Sequence, residues 1–197
     1  MRYVSTRGTA PELGFSDVLL SGLASDGGLY VPTKWPTLPA AVDDYSSTAS
    51  SIMATYIGDD ISSDVLEAIV SDAYATFRHP EVAPLVQIED NLWVQELFHG
   101  PTLAFKDLAL QVVGRLFDHV LAERSDRVTI VGATSGDTGS AAIDAVKSCD
   151  NVDIVILYPR GRTSDVQRRQ MTTVDSPNVH AVAVDGTFDD CQDLVKA

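Results

Sequence analysis

A lysine at the junction between a turn and a helix is the first residue in this sequence that could do chemistry. Lys106 lies in residues 97–111, which read LFHGPTLAFKDLALQ, and the Gly-Pro pair at 100–101 is typical of a turn. Apolar residues then recur at helical spacing through 109–121, which predicts a long amphipathic helix. Lys106 therefore falls at or just before the first turn of that helix.

The surroundings of Lys106 allow two interpretations. The positive end of the helix dipole and the apolar residues 103–105 both favour a neutral amine, which is the form that condenses with an aldehyde. Alternatively, Lys106 is an ordinary surface residue whose stem lies over Phe105 and whose charge pairs with Asp107. The local sequence leaves both open, and a second motif further along the chain bears on the choice.

The second motif is the small-residue segment 132–140, which reads GATSGDTGS and joins a predicted buried strand to a predicted helix. Such a loop lies where α/β sheets bind ligands and where backbone N–H groups favour anions. Its glycine spacing matches neither a Walker A motif nor the dinucleotide fingerprint, and Thr134 takes the place of the serine in a nucleophile elbow. The segment predicts an anion site, and a plain strand-to-helix connection is the alternative.

Composition narrows the class of protein. The sequence has no run of about 20 apolar residues and no signal-peptide pattern, which predicts a cytoplasmic protein that does not enter a membrane. Cys149 and Cys191 lack metal-ligand spacing, so we expect free thiols and no metal. The net charge of −14 argues against a nucleic-acid partner. One basic cluster stands out, which we interpret as the solvated start of a helix: Arg160, Arg162, Arg168 and Arg169.

The predicted elements give a largely helical N-terminal domain over 1–80 and an α/β domain over 81–197. The first domain opens with short strands at 3–4 and 29–31. A hairpin follows at 85–97, and after the Lys106 helix the strands and helices alternate. The strands are predicted at 127–132, 152–158 and 179–184, and the helices at 140–147, 164–173 and 188–196. This alternation is typical of parallel strands joined by crossover helices.

Together, LFHGPTLAFKDLALQ and GATSGDTGSAA resemble the threonine synthases, pyridoxal phosphate (PLP) enzymes of the tryptophan synthase β-like class, or fold type II. The resemblance covers essentially the whole chain. It includes YVSTRG and GFSDVLLSGLASDGGLYVP near the start, and LYPRGRTSDVQRRQMTTV and DGTFDDCQDLVKA near the end. It implies an enzyme of threonine biosynthesis, a lyase that converts O-phospho-L-homoserine and water to L-threonine and phosphate, and that exists as a monomer or a homodimer.

The resemblance also implies roles for individual residues. Lys106 matches the lysine that holds PLP as an imine and then moves protons at Cα and Cβ of the substrate. The loop matches the segment that borders the cofactor and cradles the substrate carboxylate, and many relatives of the wider class have Asn where this chain has Asp137. His99 and Thr102 either reach the substrate phosphate or stabilise the turn. The implied cofactor contacts are Lys106, Ser135, Gly136, Asp137 and Thr138, and the implied substrate contacts are Thr134, Ser135, Thr138, His99 and Thr102.

Parts of the family's site do not occur in this sequence. The glycine-rich loop for the cofactor phosphate and the Ser or Thr facing the pyridine nitrogen lie later in the family. Because residue 197 also falls inside a predicted helix, we expect an N-terminal portion that does not turn over alone. Two alternatives remain open: a threonine synthase-like phospholyase that releases phosphate without making threonine, and a non-catalytic fragment or small-anion binding module.

Overall fold

The short strands of the N-terminal segment pair with each other. The computed structural model describes residues 1–40, 42 and 44–197, and the chain divides into two units, Met1–Asp72 and Ala73–Ala197. In the first unit, β1 (Arg2–Ser5) lies between β2 (Leu13–Gly14) and β3 (Tyr30–Pro32), and both pairings are antiparallel. The strands predicted near 3–4 and 29–31 are confirmed. β2 was not predicted, because two residues are too few to show an alternating pattern.

Helices complete the first unit. They are α1 (Phe15–Ser21), α2 (Tyr45–Ile57), a 3-10 turn (Gly58–Asp60) and α3 (Ser63–Tyr74). α2 begins at Tyr45, because the Asp44 carboxylate caps it by accepting from Ser47 N. Buried Leu66 and Val70 lie one helical turn apart on α3.

The second unit opens with a hairpin and the helix predicted after Lys106. The hairpin pairs β4 (Leu85–Glu89) with β5 (Leu92–Gln95) in antiparallel fashion, and every residue of both strands is exposed. Between them Asn91 has a φ of 63°, a backbone conformation that asparagine tolerates in turns. α4 runs over Asp107–Arg124 and buries Val112, Leu116, Val120 and Leu121 on one face.

The rest of the second unit is a parallel sheet with helices between its strands. The strands are β6 (Val128–Ala133), β7 (Val152–Pro159) and β8 (Val179–Val184), in the order β6-β7-β8. The helices are α5 (Asp137–Val146), α6 (Asp165–Thr172) and α7 (Phe188–Lys196). The predicted alternation is confirmed, and its parallel register brings the carboxyl ends of all three strands to the same edge.

The core of the second unit forms where the sheet and helices meet. Val152, Ile154 and Ile156 alternate along the central strand β7 and are buried, as expected for a strand covered on its face. α4 and α5 approach closely at Gly114, where an added Cβ would lie 2.5 Å from the carbonyl oxygen of Ala145. In the described part of the chain, each helix is either too short or too polar to cross a membrane.

Candidate functional site

The Lys106 amine reaches the loop that follows β6. Its Nζ donates a hydrogen bond to Asp137 Oδ2 at 2.8 Å, across 31 positions of sequence. The same nitrogen lies 4.3 Å from the centre of the Phe105 ring, a distance suited to a cation–π contact. The Lys106 side chain is 26% exposed, so it is shielded and still reachable by a small molecule. The structure thus brings together the two motifs of the sequence.

Asp137 is the ionic partner of Lys106, in place of the neighbouring Asp107. It is the first residue of α5, and the hydrogen bond from Lys106 holds the pKa of its carboxyl below the ordinary value. Its side chain is 45% exposed, so solvent screens the pair and its contribution to stability is small. The alternative in which Lys106 pairs with Asp107 is wrong, because the Asp107 carboxylate binds Thr102, whereas the contact with Phe105 is present.

The loop after β6 is organised around Thr134. This side chain is only 2% exposed, and its Oγ1 accepts from Gly136 N at 3.0 Å and from Gly139 N at 2.9 Å. By contrast, the side chains of Ser135 and Thr138 belong to exposed residues of the same loop. Of the predicted substrate contacts in the loop, Ser135 and Thr138 can therefore meet a ligand. The Thr134 hydroxyl instead binds the backbone N–H groups of the loop.

Two glycines of the loop lie close against side chains of the protein. A Cβ on Gly136 would lie 2.4 Å from Gln167 Oε1 of α6, and a Cβ on Gly139 would lie 2.6 Å from Thr134 Cγ2. Contacts this short do not occur for real side chains, so Gly139 is required by the Thr134 side chain, whereas at Gly136 the flexible end of Gln167 could move aside.

The turn before Lys106 holds its own polar residues. Thr102 donates from both N and Oγ1 to the Asp107 carboxylate, at 2.8 and 2.7 Å. His99 Nε2 lies 2.7 Å from Glu96 Oε2, and its ring packs 4.9 Å from that of His79, centre to centre. The stabilising contacts that the sequence allowed for His99 and Thr102 are thus present, and their contact with a substrate phosphate remains a prediction.

The basic cluster does not form a single patch. Arg160 pairs with Asp185 at 2.6 Å, where the loops after β7 and β8 lie side by side, and both side chains are well exposed. Arg168 pairs with Asp165 within α6. Among the residues that the structure describes, no grouping of three metal-binding side chains occurs.

The structural roles of three residues at the site were not predicted from the sequence. Asp107 is fully buried beneath the Lys106 turn, and burial raises the pKa of its carboxyl. Gln167 of α6 lies against Gly136, and Gln170 Nε2 donates to the carbonyl oxygen of Thr102 at 3.0 Å. The two glutamines come from a helix about 30 and 70 positions away from their partners, and a single sequence carries no signal for such pairings.

The residues present fit an aldehyde cofactor. A reachable amine, a carboxylate within hydrogen-bond distance of it and two exposed hydroxyls of the adjoining loop meet at one place. Condensation with an aldehyde needs the amine of Lys106, and polar substituents of a ring need donors such as Ser135 and Thr138.

Comparison with known proteins identifies relatives along the whole chain. A family described as "Threonine synthase N terminus" matches residues 2–74. Threonine synthase of Pseudomonas aeruginosa is 56% identical over 208 residues, a match that takes in 100% of this chain and 43% of that protein. "Threonine synthase-like 2" of Rattus norvegicus is 41% identical and is matched over 100% of this chain and 42% of its own length.

A solved structure agrees with the fold of the whole chain. The crystal structure of PLP-bound threonine synthase from Brucella melitensis superposes with a TM-score of 0.95 at 55% identity, covering 100% of this chain and 44% of that one. The chain therefore spans less than half of the length of each of these relatives. The sequence matches and the superposed structure therefore indicate the same family.

Proposed function

This chain belongs to the threonine synthase family, whose N-terminal portion it matches, and from that premise we propose that it supplies part of the active site that converts O-phospho-L-homoserine and water to L-threonine and phosphate. The observation that carries the proposal is the meeting of the Lys106 amine with the loop 134–138, 2.8 Å apart at Asp137. A reactive amine beside a loop at the carboxyl ends of parallel strands is the arrangement that such chemistry needs.

PLP is the cofactor of the proposed reaction, and when bound it withdraws electrons from the carbon that loses a proton. Lys106 would hold it covalently through Nζ, and Ser135, Gly136, Asp137 and Thr138 would border it. Support for this comes from the reachable Lys106 amine, from the exposed hydroxyls of the loop and from the PLP-bound relative of Brucella melitensis.

Lys106 is the proposed carrier of protons. Once its amine is free it takes the proton from Cα of the substrate and moves protons at Cβ, because no other amine belongs to this group of residues. Asp137 lies within hydrogen-bond distance and stabilises the ammonium form that results from each proton uptake. The pair thus holds a proton at Nζ between the two transfers.

The exposure of the loop side chains decides which of them we assign to the substrate. We assign the substrate carboxylate to the exposed Ser135 and Thr138, and we assign buried Thr134 the task of holding the loop in shape. His99 remains a candidate for the substrate phosphate through Nδ1, whereas Thr102 would first have to release Asp107, to which both its N–H and its hydroxyl donate. An anionic substrate needs such local donors, because the net charge of −14 opposes its approach.

A phospholyase is the second candidate function. The chain is also similar to threonine synthase-like 2 of Rattus norvegicus. The two reactions share Lys106 and the loop and differ in product. After incubation of the complete protein with O-phospho-L-homoserine, threonine indicates the synthase, and a keto acid with ammonia indicates the phospholyase.

Reductive trapping tests the proposed role of Lys106. The protein is mixed with PLP, treated with borohydride and digested, and the labelled peptide is identified by mass. We expect the label on Lys106 and a yellow absorption band that borohydride removes, and Lys106→Ala should lose both. Lys147→Ala is the matched control, because Lys147 also pairs with an aspartate, Asp144, and lies outside the site. Label on other lysines alone, or phosphate release retained by Lys106→Ala, would contradict the proposal.

The location proposed for the protein is the cytoplasm. Cys149 and Cys191 are free thiols, as is usual in a reducing compartment. Burial raises the pKa of the Cys149 thiol to about 12, so it has little tendency to react.

A further inference from the structure

The carboxylate of Asp107 is buried directly beneath the Lys106 turn and has no part in the function proposed above. Asp107 is the first residue of α4 and is 0% exposed. A carboxylate is withdrawn from water at a cost, and it is tolerated only where donors surround it. The partners of Asp107 therefore indicate what it does.

The partners all belong to the turn that leads to Lys106. Oδ2 accepts from Thr102 N at 2.8 Å, and Oδ1 accepts from Thr102 Oγ1 at 2.7 Å. Gly100 lies against the other side, where an added Cβ would come within 2.4 Å of Oδ2. The turn is wrapped around this one acidic group.

The backbone of the turn needs such support. Leu103 has a φ of 68°, a left-handed conformation that a leucine keeps only when its surroundings impose it. The N–H of Leu103 donates to Gly100 O at 3.2 Å, and Gln170 Nε2 of α6 donates to Thr102 O at 3.0 Å. Lys106 lies three residues after Leu103, so a change in the conformation of the turn would move the Lys106 amine.

We propose that Asp107 is a positioning residue for Lys106: its carboxylate fixes the turn at 100–103, and the turn holds the Lys106 amine beside Asp137 and close to the Phe105 ring. The importance of this role rests on the proposed function, because only a lysine that reacts needs a fixed amine. The placement itself is a property of the chain and can be measured without cofactor.

Nuclear magnetic resonance of protein labelled with ¹³C at lysine Cε gives that measurement. The sequence has four lysines, Lys34, Lys106, Lys147 and Lys196, so each signal can be assigned from one substitution to arginine. The Phe105 ring, 4.3 Å from Lys106 Nζ, displaces the Lys106 signal from its free position. Phe105→Leu defines the signal without that displacement.

The proposal predicts which substitutions move the Lys106 signal. Thr102→Val and Asp107→Ala should each lose most of the displacement, and the signals of the other lysines should stay where they are. Asp107→Asn should keep part of it, because one amide oxygen can still accept from the turn. Asp153→Asn is the control: Asp153 pairs with exposed Arg127 in the same unit, so the Lys106 signal should not move.

A purely structural role for Asp107 has a different outcome. The variants would then lower the Tm while the Lys106 signal stayed displaced, and that result in folded Thr102→Val would overturn the proposal. Thr102→Val decides the question if Asp107→Ala does not fold, since it removes one hydroxyl and keeps the shape of the side chain. Failure of the proposed function appears separately, as absence of PLP on Lys106 of the unsubstituted protein after borohydride, and leaves the signal positions unaffected.

Discussion

Asp26 is the residue on which the loops of the first unit converge. Its Oδ1 accepts from Ser5 Oγ at 2.7 Å and from Gly28 N at 2.9 Å. Its Oδ2 accepts from Thr9 N and Oγ1 and from Ala10 N, at 2.9 to 3.1 Å. These hydrogen bonds, that from Ser5 foremost, hold the pKa of the Asp26 carboxyl well below its ordinary value. Thr9 and Ala10 lie 17 and 16 positions before Asp26, and a single sequence carries no signal for that pairing.

The pH dependence of stability should reveal Asp26. Because its pKa is lower in the folded protein, its contribution is complete above the unfolded value of about 3.9 and is lost as the pH falls toward the folded value. Asp26→Asn should therefore be less stable than the unsubstituted protein at pH 6, and the difference in Tm should narrow below about pH 4. Asp59→Asn, which removes an exposed carboxylate of the same unit, is the control. A difference that widens on acidification would contradict this account.

Thr134 allows a test of a structural against a binding role. Thr134→Val keeps the shape of the side chain and leaves the N–H groups of Gly136 and Gly139 without their acceptor, at a cost of about 1–3 kcal/mol for each buried donor. We expect Thr134→Val to be destabilised by several kcal/mol in urea denaturation, and Thr134→Ser to recover most of the loss. Ser135→Ala, on the exposed side of the loop, should leave stability nearly unchanged. Equal stability of Thr134→Val and the unsubstituted protein would assign the hydroxyl to a ligand instead.

Helices α4 and α5 of the second unit approach each other closely at Gly114, which has no side chain. Gly114 lies inside α4, where alanine would ordinarily be favoured by about 1 kcal/mol. Here the added methyl group would lie 2.5 Å from the carbonyl oxygen of Ala145, so the two helices would have to separate. The approach of two backbones thus outweighs helix propensity.

Replacing Gly114 by alanine should therefore destabilise the protein, although alanine usually stabilises a helix relative to glycine. Gly114→Ala is expected to lower the free energy of unfolding by about 1–3 kcal/mol, the typical cost of overpacking a core. Ala109→Gly, at an exposed position of the same helix, reports propensity alone and should cost about 1 kcal/mol. Urea denaturation of both variants separates the effects. A gain in stability for Gly114→Ala would show that the helices have room to move apart.

Elements were predicted well where one local signal sufficed. Helical periodicity placed α4, and α6 lies within its predicted range, with Ser164 as a cap that accepts from Gln167 N. α5 begins at Asp137, three residues before its predicted start, because small residues that are typical of loops form its first turn. Contacts between elements could not be predicted from the sequence. For example, buried Asn178 donates to the carbonyl oxygens of Val146 and Val152, and nothing near residue 178 indicates this.

The candidate site was predicted as two separate motifs. The sequence indicated Lys106 and the loop from their residue types, and the family resemblance suggested that they act together. The ion pair with Asp137 and the burial of Asp107 depend on tertiary structure, in which the order of parallel strands decides which loops meet. Periodicity along the chain carries no information about that order.

Charge acts on the molecule as a whole. The formal charge is −14, with 28 acidic and 14 basic side chains, so the folded chain repels itself at neutral pH. Salt shortens the range of this repulsion, from about 30 Å at 0.01 M to about 3 Å at 1 M. Exposed pairs such as Arg160–Asp185 are screened as well, but each contributes little.

Stability should therefore rise with ionic strength. We expect the Tm to increase between about 0.01 and 0.5 M NaCl, with each 1 kcal/mol gained giving roughly 2–4 °C for a chain of this size. Sucrose at equal osmolarity is the control for effects unrelated to charge. A Tm that falls with added NaCl would indicate that the attractive pairs outweigh the general repulsion.

The shared edge of the parallel sheet has a consequence for how such a protein can diversify. The loops after β6, β7 and β8 all leave from that edge, yet the first is tied into the framework by Thr134, Gly136 and Gly139. The other two lie at the surface, where the exposed Arg160 and Asp185 meet. A mutant library for altered specificity is therefore best directed at the exposed positions Arg160, Arg162 and Asp185. There, inherited or engineered variation can accumulate while the lysine and its supporting loop are left intact.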